Sequence, residues 1–86
     1  MTTDQLSLYR HIDEILFYKW DPIGVSDIDL ARDEYQSYVP QLFQMALAGH
    51  ESDYIASELS VIVKERMGLN PSLVHNRRIA ELILGA

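Results

Sequence analysis

Helical spacing of the apolar residues constrains the fold of this chain more than any other feature. Apolar side chains recur at intervals of three and four residues through most of the sequence, as they do on one face of an α-helix. No segment shows the strict alternation of a half-buried strand, and the β-branched run Val61-Ile62-Val63 falls inside a helical period. The sequence therefore predicts an all-α fold, a compact bundle of four to five helices with short connections.

The length and composition of the chain favour one globular domain. The 86 residues, 48% hydrophobic and 23% charged, predict a single helical domain spanning 1–86. Cysteine is absent, which excludes disulfides and thiolate metal sites. The N-terminal residues lack the basic start and apolar run of a signal peptide, and no segment approaches the roughly 20 apolar residues of a membrane span. We expect a cytoplasmic protein with no membrane partner.

Proline and glycine mark the end of the first predicted helix. This helix is expected to begin at a cap formed by Asp4 or Thr3 and to end near Trp20, because a proline follows two residues later. The sequence Asp-Pro-Ile-Gly at 21–24 then matches a type I turn, with the aspartate accepting backbone hydrogen bonds. Trp20 and Val25, on either side of this turn, are expected to close one end of the core.

Two shorter helices are predicted next. The first has candidate caps at Ser26, Asp27 and Asp29 and extends through Leu30 and Ala31 to Glu34. The other has Pro40 in its first turn, where the missing N–H costs nothing, and stops at Gly49.

The last two helices have clear boundaries in the sequence. One is expected to be capped by Ser52 and to end at Gly68 in a left-handed conformation. The final helix is expected to be capped by Asn70, with Pro71 as its first residue. Its inward-facing residues are predicted to be Ile79, Leu82 and Ile83, helped by Val74 or Leu73.

The charge of the chain is negative and uneven. The net charge is −6, with −5 in residues 1–50 and −1 in residues 51–86. A surface of this sign repels phosphate backbones, so nucleic-acid binding is disfavoured. It attracts a basic partner and speeds the encounter, although acidity also serves solubility alone.

The sequence contains no catalytic signature. His11, His50 and His75 lack the i, i+4 spacing of a helical zinc site, the serines lack a nucleophile-elbow context, and the glycines stand singly. We therefore expect a protein that is not an enzyme and that uses no cofactor or metal.

An acidic, tyrosine-containing stretch at 21–38 is the one constellation that suggests a site. Metal binding is one interpretation, but the spacing does not match a calcium loop. In a second interpretation the acids cap helices and the tyrosines pack with rings inward and hydroxyls in water. The third is a protein-binding surface, since tyrosine beside charge is typical of interfaces. The residues concerned are Asp21, Asp27, Asp29, Asp33, Glu34, Tyr35 and Tyr38.

Arginines are expected to have mainly structural roles. One residue of the pair Arg77-Arg78 is expected to pair with an acid from the first half of the chain, the alternative being a contact to an acidic partner. Arg32, beside Asp33 and Glu34, is expected to belong to a solvated face.

Several short motifs together resemble a known family. WDPIGV at 20–25, DEYQSYVP at 33–40 and MGL at 67–69 are similar to motifs of a bacterial family of small all-helical proteins of unknown function. The likeness covers roughly residues 12–69 and implies a small helical fold without an established enzyme activity. Proteins of this kind are also similar to immunity proteins of bacterial toxin systems, including contact-dependent inhibition.

The resemblance implies a binding function. A toxin nuclease domain is basic because it holds nucleic acid, so an acidic inhibitor would gain speed and affinity. We expect a non-enzymatic immunity protein that neutralises such a toxin, with a structural or regulatory homodimer as the alternative and a metal-dependent enzyme as a third. Trp20 is expected to support the partner-binding surface from beneath. That surface is predicted to comprise Asp27, Asp29, Asp33, Glu34, Tyr35 and Tyr38.

Overall fold

The fold is all-α, which confirms the predicted class. A computed structural model describes residues 1–85, and within that range it contains helices and turns but no strand. The four helices are α1 (Thr3–Ile15), α2 (Val39–Leu47), α3 (Ser52–Val61) and α4 (Leu73–Leu84). Two of them continue into π-helical turns, α1 through Leu16–Trp20 and α3 through Ile62–Arg66. No helix within 1–85 combines the length and apolar character needed to cross a bilayer.

The first helix begins one or two residues earlier than expected, and its final turn ends just before the proline, as predicted. Thr2, rather than Thr3 or Asp4, is the N-cap, and it forms a reciprocal capping box with Gln5. The helix then widens, and the amide of Asp21 donates to the carbonyl of Leu16 at 3.0 Å, a bond that spans five residues. The π-helical turn ends at Trp20, in agreement with the prediction.

The prediction of a short helix ending at Glu34 is wrong. Only a 3₁₀ turn, Asp29–Ala31, forms in this region, followed by a second one, Gln36–Tyr38. The backbone bonds around it span three residues, as from Ala31 N to Ile28 O at 3.0 Å and from Glu34 N to Ala31 O at 2.9 Å. Tight turns therefore replace the α-helix that the capping aspartates suggested.

The boundaries of α2 to α4 agree with the sequence except at two caps. Pro40 lies in the first turn of α2, and Gly49 and Gly68 have positive φ values of 81° and 67° after the helices they end. The N-cap of α3 is Glu51, without a side-chain bond, so Ser52 is not the cap. Ser72 replaces Asn70 as the cap of α4, because its hydroxyl accepts from the amide of His75 at 3.2 Å.

All four helices contribute to the core, in which α3 packs against α4 and α1 packs against both α2 and α4. Ile79 and Ile83 of α4 face it as predicted, but Leu82, Leu73 and Val74 are 43%, 68% and 74% exposed, so their predicted inward placement is wrong. The inward positions of α4 repeat at spacings of three and four, and two of them are occupied by small or polar residues. The buried residues of α4 are Asn76, Ile79, Ala80 and Ile83.

Candidate functional site

Residues 21–38 join α1 to α2, and we call them the acidic connection. Its first residue, Asp21, has a left-handed backbone with φ 36° and ψ 58°. The carboxylate folds over the turn and accepts from the amides of Gly24 at 3.1 Å, Val25 at 2.8 Å and Ser26 at 3.0 Å. These bonds offset the cost of a left-handed non-glycine residue, on the order of 1 kcal/mol or more. The prediction that Asp21 accepts backbone hydrogen bonds in this turn is confirmed.

Tyr35 closes the acidic connection onto its own start. Its hydroxyl donates to Asp21 Oδ1 at 2.8 Å and accepts from the amide of Ile23 at 3.0 Å. The ring packs against Trp20 with a centroid distance of 5.4 Å, and the residue is only 1% exposed. Because the ring is buried and the hydroxyl is bonded within the protein, the predicted place of Tyr35 on a partner-binding surface is wrong. The hydroxyl is not in water either.

The pKa values of this pair follow from the same contacts. Burial raises the pKa of Asp21, but the hydrogen bonds from Val25, Tyr35 and Ser26 outweigh it, so the pKa lies below the ordinary value of 3.8. Burial and the bond to the Asp21 carboxylate raise the pKa of the Tyr35 hydroxyl. The pair therefore stays as a carboxylate and a neutral phenol at physiological pH.

Trp20 ties the start of the connection to the helices beneath it. Its indole N–H donates to Asn76 Oδ1 at 3.0 Å, and Asn76 Nδ2 donates to Ser60 Oγ at 2.9 Å. Ser60 in turn donates to the carbonyl of Ala56 at 3.0 Å. His75 Nε2 lies 2.9 Å from the carbonyl of Trp20, which can only accept, so the imidazole donates. Asn76 is 2% exposed, and this chain of bonds satisfies its buried amide.

Arg32 ties the middle of the connection to α1. Its guanidinium makes a two-pronged contact with Asp13, at 3.1 and 3.0 Å, and lies 5.0 Å from the ring centroid of Phe17. The bonds to Asp13 raise the pKa of Arg32. The expectation that Arg32 belongs to a solvated face is wrong, because its partner is an acid 19 positions away in the sequence.

The four predicted acids, in contrast, lie at the surface. Asp27, Asp29, Asp33 and Glu34 are all exposed. Tyr38 is half-buried, with its ring edge-on to Trp20 at a centroid distance of 6.2 Å. Trp20 is itself buried and contacts both tyrosines, consistent with its expected position beneath this region.

The connection exposes three large apolar residues, Ile23 at 45% and two others that the sequence analysis does not assign to the surface. Leu30 is 97% exposed and Ile28 is 49% exposed. Leu30 was assigned to the short helix that does not form. The alternation of acid and apolar residues over 27–30 was the one available signal, since it gives no helical face to bury.

The basic pair on α4 is also placed differently from the prediction. Arg77 Nε lies 3.1 Å from Asp53 Oδ1, with both side chains well exposed. Asp53 belongs to the second half of the chain, so the predicted pairing with an acid from the first half is wrong for Arg77.

The residues that the structure describes do not gather the ligands of a metal site. Across 1–85, no group of three or more His, Cys, Asp or Glu side chains is arranged to hold a metal ion. The two carboxylate oxygens of Asp21 already accept hydrogen bonds from four donors within the protein. The acidic connection thus exposes carboxylates and apolar side chains. It is held in place by the Asp21–Tyr35 bond, by Trp20 at its start and by the Arg32–Asp13 salt bridge.

Comparison of the chain with models of protein families, with curated proteins and with solved structures finds no match.

Proposed function

We propose that this chain is a non-enzymatic binding protein whose acidic connection docks a basic protein partner. The observation that carries the proposal is the exposure of Asp27, Asp29, Asp33 and Glu34 on one short, tied-down segment. Arg32, the single base within 27–34, is engaged by Asp13 and does not neutralise them. The segment therefore presents its negative charge to the solvent.

The way the connection is held supports binding. Asp21 and Tyr35 close it, Trp20 joins it to Asn76, and Arg32 joins it to Asp13. A surface that is already ordered loses less conformational entropy when a partner docks. Exposed charge on such a surface mainly accelerates association and selects partners of opposite sign.

We further propose that the partner is a bacterial toxin domain with nuclease chemistry, which this chain neutralises. Two features support this: the motifs that resemble small bacterial immunity-like proteins, and the sign of the surface. A nuclease domain carries basic side chains to hold phosphate, so a negative surface complements it.

Co-expression with the protein encoded by the adjacent reading frame tests the proposal. Cells that produce that protein are expected to survive when they also produce the wild-type chain. They are expected to die with a variant in which Asp27, Asp29 and Asp33 become Asn and Glu34 becomes Gln.

A matched control removes the same charge elsewhere. Glu14, Glu51, Glu65 and Glu81 are exposed acids outside the connection, and changing all four to Gln is expected to preserve protection. Circular dichroism must show that both variants fold. Equal killing with and without the wild-type chain contradicts the toxin proposal, and loss of protection in the control contradicts the assignment to the connection.

A homodimer is the second candidate function. The exposed apolar pair Leu73 and Val74 at the start of α4 favours it, since such residues are frequent at contacts between copies. Light scattering on the purified chain decides the matter, because a strict monomer excludes this function.

A further inference from the structure

We propose that Leu30 is the anchor of the docking surface and inserts into an apolar pocket of the partner that is bordered by Lys and Arg. This inference rests on the proposed function, because it names the residue through which the same surface acquires affinity. Single exposed apolar residues are normal on protein surfaces, so exposure alone does not carry it. Three features of Leu30 together carry it.

The first feature is the degree of exposure. Leu30 is 97% exposed, more than any other large hydrophobic residue of the described part of the chain, and Ile28 two positions earlier is 49% exposed. Nearly the whole side chain is therefore available to be buried by a partner.

The second feature is that the backbone holds Leu30 at the surface. Ile28 N donates to Val25 O at 2.9 Å, Ala31 N to Ile28 O at 3.0 Å, and Arg32 N to Asp29 O at 3.2 Å. The salt bridge from Arg32 to Asp13, at 3.0 Å, fixes the residue that follows this turn. Leu30 cannot reach the core without breaking these bonds, so its exposure is a property of the fold.

The third feature is the charge around it. Asp27 and Asp29 precede Leu30, and Asp33 and Glu34 follow it, all exposed. An apolar centre within a charged rim is the common layout of a protein interface. Anionic lipid and acidic proteins are repelled by the rim, whereas an apolar pocket edged by Lys and Arg complements both parts of the surface.

We call the four acids Asp27, Asp29, Asp33 and Glu34 the rim. Changes to the anchor and to the rim are expected to affect different rate constants. Removing a fully buried leucine side chain corresponds to an affinity loss of about 10- to 150-fold. Leu30→Ala is therefore expected to weaken binding by that factor through faster dissociation, while the association rate and its salt dependence stay unchanged. Replacing the four rim acids by their amides is expected to slow association and to flatten its salt dependence.

The experiment measures association and dissociation rates by surface plasmon resonance, with the purified protein of the adjacent reading frame as the probe. Leu73→Ala is the matched control, because Leu73 is also a well-exposed leucine, at 68%, but belongs to α4. Leu30→Met keeps the apolar volume and is expected to retain most of the affinity. All variants are expected to show the urea midpoint of the wild type, since each changed side chain lies at the surface.

The outcomes are distinguishable. Weaker binding by Leu30→Ala, with Leu73→Ala and Leu30→Met near the wild type, supports the anchor. Unchanged binding by Leu30→Ala, while the four-acid variant associates slowly, overturns the anchor and leaves the proposed function standing. No binding by the wild type overturns both. A wild-type dimer that Leu30→Ala converts to a monomer assigns Leu30 to a second copy of the chain and also overturns the proposal.

Discussion

Replacing Tyr35 by phenylalanine removes one oxygen atom from the bond that closes the acidic connection. The ring, which is 1% exposed and packs on Trp20, keeps its volume and its contacts. The lost bond to the Asp21 carboxylate, 2.8 Å in length, is charge-assisted, and such bonds contribute about 1.5 to 3 kcal/mol. The lost bond from the amide of Ile23 costs less, because that residue is 45% exposed and water can replace the hydroxyl. We expect Tyr35→Phe to lower the free energy of unfolding by about 2 kcal/mol.

Thermal unfolding measures this loss. For a domain of this size, 2 kcal/mol corresponds to a midpoint lower by about 8 to 16 °C. Trp20 is the only tryptophan and is buried, so its fluorescence gives a second probe in urea. The control is Tyr54→Phe, in which the same atom is removed from a residue that is 57% exposed, and it is expected to change stability by less than about 0.5 kcal/mol.

Comparison with Asp21→Asn identifies the bond itself. Asparagine tolerates the left-handed backbone at this position, so the substitution removes the charge and one of the two acceptor oxygens without straining the backbone. The double variant Asp21→Asn, Tyr35→Phe is expected to lose about 1 kcal/mol less unfolding free energy than the two single losses added together. Two results would refute the reasoning that the hydroxyl holds the connection. One is a loss of stability for Tyr35→Phe no larger than that for Tyr54→Phe. The other is a double variant whose loss equals the sum of the Asp21→Asn and Tyr35→Phe losses.

Three further predictions concern the ties around this site. Asn76→Ala leaves the buried indole N–H of Trp20 without a partner and is expected to cost about 1 to 3 kcal/mol in urea unfolding; a smaller loss means that water reaches the indole. Arg32→Lys replaces the two-pronged contact with Asp13 by a single one and is expected to lower stability by about 0.5 to 1 kcal/mol in thermal unfolding, with no change as the contrary result. The lowered pKa of Asp21 stabilises the fold above the ordinary value of 3.8, and this contribution disappears as the pH falls through the lowered folded value. Urea titrations from about pH 5 to pH 2 should therefore show a steeper loss for the wild type than for Asp21→Asn, and equal slopes would contradict the shift.

The helices were predictable because they depend on local periodicity. Spacings of three and four residues placed Ile79 and Ile83 of α4 in the core, and the glycines at 49 and 68 fixed two helix ends. The caps were less predictable, because several polar residues lie at each helix start and any of them could cap it. At α4 the cap is Ser72, with ψ 109° and a side chain that accepts from the amide of His75, and not Asn70.

The acidic connection was less predictable because its conformation depends on contacts outside any local pattern. The sequence predicts a helix here, whereas the Asp21 carboxylate accepts from three successive amides and backbone bonds over three residues form tight turns after them. The sequence predicts a solvated face for Arg32, whereas its pairing with Asp13 on α1 depends on how the connection packs on that helix.

For the candidate surface, the sequence identified the exposed carboxylates but not the apolar residue among them. Charge is visible in any composition, so the acids of 27–34 stood out. The exposure of Leu30 depends on the tight turn that holds it, which no periodicity indicates. Tyr35 was assigned to the surface by residue type, whereas its burial follows from the position of Asp21, 14 residues earlier.

The π-helical turn at Leu16–Trp20 holds one residue more than the α-helical turn that would otherwise occupy its place. The wide turn accommodates this additional residue, and it sets the directions in which the side chains after it point. With regular α-helical bonding and no wide turn, the same residues would place Trp20 about 100° further round the helix axis, away from Asn76. The width of this one turn, and not residue type alone, therefore decides which side of the helix carries Trp20.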